Sequence, residues 1–100
     1  MPLHIVIDRE RIDAFCRKWR VKELSIFGSA LRDDFGPDSD IDVLVAHDED
    51  AAWDVWDHMH AEEELKELLG RNVDLVSKTA VRNPFRRDHI LRNREVIYAG

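Results

Sequence analysis

Apolar residues recur along this chain at two spacings, and each spacing predicts a different element. Ile12, Phe15, Cys16 and Trp19 fall at the i, i+3, i+4, i+7 positions of one helical stripe, and Asp8 is placed to cap it, so a helix is expected through about Trp19. From Val21 to Phe27 the period shortens, with Leu24 and Ile26 alternating against Ser25 and Phe27 as in a strand with two different faces. Gly28-Ser29 ends it. Ala30 to Phe35 can form a short helical turn, and Gly36-Pro37-Asp38 reads as a loop. A second strand is expected from Asp40 to Ala46.

Helical spacing returns from Ala51 to Leu69, through Ala52, Val55, Trp56 and Met59 and then Ala61, Leu65, Leu68 and Leu69, with a drift near Glu62; Gly70 is its stop. Val73 to Ser77 predicts a third strand. Asn83-Pro84 places an N-cap before a proline at the first helical position, and the last helix runs to about Asn93. Val96-Ile97-Tyr98 either adds a short strand or packs at the sheet edge. The order predicts an α/β (α+β) fold: a small mixed sheet of three to four strands with helices packed on it.

Composition narrows this picture. One hundred residues suit one small domain, residues 1–100, and 44% hydrophobic content is too much for a disordered chain. A net charge of −6 argues against a broad grip on nucleic acid, which needs a basic face to displace counterions. The charge is uneven, however: acids crowd between Asp33 and Glu67, and five arginines lie between Arg82 and Arg94. The single cysteine, Cys16, sits on the helical stripe and reads as a structural thiol. With no apolar leader and no apolar run of about 18 residues, the chain is expected to be cytoplasmic.

The candidate chemistry lies in the acids. Residues two apart on a strand share a face, so Asp40 and Asp42 put two carboxylates side by side while Ile41, Val43 and Val45 point to the core. Such a pair repels itself unless a cation lies between, and hard divalent ions such as Mg²⁺ prefer carboxylate oxygens together with substrate phosphates. Asp74 interrupts the apolar run Val73-Asp74-Leu75-Val76, and if its strand neighbours the second, three acids can serve two ions. Two ions clamp the attacking and leaving oxygens of an in-line phosphoryl displacement, with Asp74 placed to help deprotonate the incoming hydroxyl. Gly28 lets backbone approach a phosphate closely, Ser29 can offer its hydroxyl and exposed N–H groups to the β and γ phosphates, and Arg32 follows one turn later.

The order strand, Gly-Ser, loop, Ser-Asp-x-Asp and lone Asp on a third strand resembles the DNA polymerase β-type nucleotidyltransferase superfamily. Within it, FGSALRDDFGPDSDIDVLV, LLGRNVDLVS and NPFRRDHILRNREVIYA are similar to the minimal nucleotidyltransferases, the antitoxins of HEPN/MNT toxin–antitoxin pairs. The resemblance implies the polymerase β-type fold, with Asp40, Asp42 and Asp74 as catalytic metal ligands for Mg²⁺. It also implies Gly28, Ser29, Arg32 and Ser39 as nucleotide-binding residues. Asp33 departs from relatives that continue Arg with Gly. The implied activity is transfer of AMP from ATP to a tyrosine hydroxyl of a partner HEPN ribonuclease toxin, silencing it. The alternatives are neutralisation by binding alone, or nucleotidyl transfer to a small molecule or an RNA end.

The remaining polar residues have plainer readings. The five histidines show no zinc-binding spacing, and His58 and His60, two apart on a helix, do not share a face. The arginines from Arg82 to Arg94 read as a solvated helix face and Glu62-Glu63-Glu64 as solvent-facing. Trp53 and Trp56 read as packing residues, with Trp53, off the main stripe, the candidate for an exposed contact.

Overall fold

The computed structural model describes residues 7–28, 40–47 and 53–100, the side chain of Thr79 excepted. The expected turn at Ala30 to Phe35 and the site candidates Ser29, Arg32 and Ser39 lie outside the described residues.

The chain order is α1 (Arg9–Trp19), β1 (Val21–Phe27), β2 (Ile41–His47), α2 (Val55–Leu69), β3 (Val73–Ser77), a 3₁₀ turn (Lys78–Ala80), α3 (Pro84–Arg92) and β4 (Arg94–Ala99). The strands form one sheet in the order β3-β2-β1-β4. β1 pairs antiparallel with both β2 and β4, and the crossover through α2 makes β2 and β3 parallel. Val96-Ile97-Tyr98 is therefore the middle of a full edge strand.

Caps set the helix ends. Asp8 accepts from Arg11 N, as its position predicts, and Arg20 closes α1 in the left-handed region at φ 56°. α2 starts later than its apolar spacing suggests. Trp53 precedes the helix and Asp54 is its N-cap, exchanging hydrogen bonds with Asp57 in a reciprocal capping box. Gly70 ends α2 with φ +67°. Asn83 caps α3 ahead of Pro84, and Asn93 is its C-cap.

The sheet carries apolar clusters on both faces. On one, α1 and α2 pack Ile12, Phe15, Cys16, Ala61 and Leu65 against Leu24, Ile26, Ile41, Val43, Val45 and Leu75. On the other, α3 brings Ile90 and Leu91 onto Phe27, Leu44, Val76 and Val81. Burial and the charge of Asp13 push the Cys16 thiol up to about 12, which fits the structural reading.

Three sequence expectations are corrected here. Of the two indoles read as packing, Trp53 does pack, half-buried on the core rather than as an exposed contact, donating from Nε1 to the carbonyl of Trp19 with its ring 4.2 Å from that of His47 at a tilt of 48°, whereas Trp56 is exposed, at 67%. The glutamate run is not simply solvated: Glu62 accepts from the backbone N–H of Leu75, and Glu64 accepts from Trp19 Nε1 and Lys18. Arg94 lies on β4 rather than on the helix face and donates to Glu23 and to buried Ser25. Period arguments place a residue on a face but do not reveal a partner on another element. Among the described residues, no helix is long and apolar enough to cross a membrane.

Candidate active site

Asp42 and Asp74 stand together where three strand ends meet. β1 finishes at Phe27, beside Asp42 in the antiparallel ladder, and Asp42 is the register partner of Asp74 in the parallel one. Partners on adjacent strands stand about 4.8 Å apart with side chains on the same face, so these two carboxylates are neighbours. Their face is the one covered by α3, since Leu44 and Val76, the next same-face pair, belong to the α3 cluster. Asp74 is exposed because β3 is an edge strand, while Asp42 is half-buried between β1 and β3.

Asp40 precedes β2 at the same parity as Asp42 and is exposed. Its charge reaches Lys66 of α2, whose ammonium pKa is raised chiefly by its hydrogen bond to Glu63, with Asp40 a smaller contributor. Among the described residues, no three carboxylate, imidazole or thiol groups converge on a single point suited to a metal ion. The strand register brings Asp42 and Asp74 together, while Asp40 adjoins them in sequence and its charge acts toward α2.

Gly28 completes the corner. It adopts φ +71°, and a Cβ on it would collide with Asp42 Oδ2 and come within 3.1 Å of Asp42 Cγ. The sequence assigns this glycine to close approach by phosphate; the structure adds that it makes room for the carboxylate itself. Two carboxylates on one face, with oxygen donors only, suit a hard divalent cation that also takes phosphate oxygens.

A pocket of about 490 Å³ opens over this corner, bounded on the sheet side by Phe27, Gly28 and Asp42. Its other wall is α3, through Arg86, His89 and Ile90, with Asn93 beyond the helix end. These residues keep the i, i+3, i+4, i+7 spacing, so one stripe of α3 faces the site. That stripe was hidden in the sequence, where the arginines read as solvated; only the seating of Ile90 on the sheet fixes which of them turns inward.

Comparison with known proteins identifies the family. The nucleotidyltransferase domain model matches residues 9–97. Protein adenylyltransferase MntA of Thermococcus cleftensis is 35% identical over 81 residues, covering 81% of this chain and 77% of its own length. A solved structure provisionally described as a minimal nucleotidyltransferase is 33% identical, with a TM-score of 0.71 over 87% of this chain and 86% of the other. A chain of the solved complex of tri-AMPylated Shewanella oneidensis HEPN toxin with MNT antitoxin shares the fold at 17% identity, with a TM-score of 0.66 over 92% of this chain and 70% of the other. With its four-stranded mixed sheet and its match along nearly the whole sequence, the chain belongs to the nucleotidyltransferase domain family.

Proposed function

We propose that this nucleotidyltransferase is a magnesium-dependent protein adenylyltransferase that moves AMP from ATP to a tyrosine hydroxyl of a HEPN-type toxin and so acts as its antitoxin. The observation that carries the reading is the Asp42–Asp74 register pair beside Gly28, an oxygen-donor corner open on its β3 side. The names of the relatives support the reaction and the partner.

In the reaction, the acceptor oxygen attacks the α-phosphorus, a new P–O bond forms, and the bond to the β-phosphate oxygen breaks to release pyrophosphate. Asp42 and Asp74, with Asp40 turned in from the adjoining position, would hold Mg²⁺, which supplies Lewis-acid stabilisation of the phosphate charge. Asp74, exposed at the sheet edge, is placed to take the hydroxyl proton from an acceptor arriving at that side. Gly28 leaves room for Asp42, and Ser29 and Ser39 adjoin the corner in sequence as candidates for phosphate contact, as does Arg32, three residues after Ser29. The acceptor comes on the partner, which suits a domain with one site.

The test is intact mass of both proteins after incubation with ATP, Mg²⁺ and a HEPN-type toxin protein. One or more added AMP units on the partner, absent with Asp42→Asn, is the expected result. Neutralisation of the partner at one-to-one ratio without ATP, and with no mass gain, would replace the enzyme with an occluding binder.

A further inference from the structure

We propose that Arg86 and His89 of α3 are nucleotide-positioning residues that hold the phosphate chain of ATP from the side opposite Asp42. The inference rests on the adenylyl-transfer reading of the same corner and names the part of the substrate that α3 takes.

The pocket has walls of opposite character. Asp42 and Gly28 form the sheet side, and Arg86, His89 and Asn93 the helix side. A ligand that bridges a carboxylate-held cation and a guanidinium must itself be polyanionic, which describes a triphosphate and not a tyrosine side chain. The volume of about 490 Å³ falls among those of small-molecule sites. At net charge −6, with acids at the pocket floor, a guanidinium on the facing wall adds to the local positive charge that a nucleotide needs.

Arg86 is available for that purpose. Arg92 is paired with Asp88 and Arg94 with Glu23, whereas no carboxylate among the described residues pairs with Arg86. Its backbone is fixed, because Asn83 caps the first turn by accepting from Arg86 N, and Ile90, one turn on, is buried against the sheet. His89 is held as well. Asn93 donates from Nδ2 to the His89 carbonyl at 2.8 Å, and the same nitrogen lies 3.4 Å from His89 Nδ1. An amide donor facing Nδ1 favours the tautomer with its proton on Nε2, a donor for a phosphate oxygen.

The experiment measures Mg-ATP, Mg-ADP and AMP binding calorimetrically for the wild-type chain, Arg86→Ala, Arg86→Lys and His89→Ala, with thermal midpoints to establish folding. Arg86→Ala is expected to weaken Mg-ATP by about tenfold and AMP by much less, the difference a charge-assisted phosphate contact makes. His89→Ala should have the same direction with a smaller effect. Lysine should restore part of the loss, and in transfer assays KM for ATP should rise while kcat holds. A folded Arg86→Ala that binds Mg-ATP as the wild type does overturns the inference, including the case in which it loses transfer, since α3 would then serve the acceptor. A wild-type chain that binds no Mg-ATP overturns it too. Nucleotide binding that depends on Arg86 in a chain that modifies no partner supports the inference and refutes the adenylyl-transfer reading alone.

Discussion

Gly28 and Asp42 are separated by fourteen positions in sequence and share one small volume, with the glycine at φ +71° and any Cβ directed into the carboxylate. Gly28→Ala therefore combines left-handed backbone strain, about 1–2 kcal/mol, with displacement of the Asp42 carboxylate, the proposed metal ligand. The expected outcome is a modest fall in thermal midpoint and a loss of AMP transfer of about 100-fold or more, the scale on which small misplacements of reacting groups act. Near-normal transfer by a folded Gly28→Ala would show that Asp42 tolerates being moved. His47 offers a second test at this scale. Burial, with a smaller contribution from the nearby charge of His58, lowers its pKa below the ordinary 6.5, and its Nε2 is buried with no hydrogen-bond partner among the described residues. A depressed imidazole pKa means that the unfolded chain takes up a proton more readily, so this contribution to stability is complete above pH 6.5 and declines as pH falls below it. Circular-dichroism melts between pH 8 and pH 5 should show a larger loss for the wild type than for His47→Leu.

Among the elements, α2 shows both what local patterns reveal and where they stop. Its apolar spacing predicts a helix, yet the same spacing runs on through Ala51 and Ala52, and the start is set by the Asp54–Asp57 capping box. Asp54→Ala should cost about 1 kcal/mol and lower the thermal midpoint without changing nucleotide affinity, because the cap lies at the far end of α2 from the acids. The strand bearing Asp42 and the helix stripe of Ile12, Phe15 and Cys16 were legible because period alone decides which face is buried. The Asp42–Asp74 pairing was legible only conditionally, since it depends on β2 and β3 being neighbours. The inward face of α3 was not legible: its nine residues PFRRDHILR contain few apolar side chains, and Ile90 and Leu91 select the face only against a sheet already formed. Glu62, Glu64 and Arg94 were missed for the same reason, each having a partner on another element.

For the molecule as a whole, the two apolar clusters divide the work unequally. The one under α1 and α2 is the larger and holds the sheet; the one under α3 is small and borders the pocket. Ile90→Ala should cost about 2–4 kcal/mol and should also weaken Mg-ATP binding by loosening α3, whereas a comparable truncation at Leu65 should affect stability alone. Parallel melts and calorimetry distinguish the two. The three tryptophans stand apart from all of this. Trp19 ends the helix that leads into the start of β1, Trp53 stacks on His47 at the end of β2, and Trp56 opens α2, while the acids occupy the opposite ends of these strands. The five residue steps from Asp42 to His47 span about 16 Å. Emission from Trp19 and Trp53 thus reports on the core, with exposed Trp56 as a solvated background, and none of the three indoles borders the proposed phosphate site, so unfolding and ligand binding can be followed by separate optical signals in one cuvette.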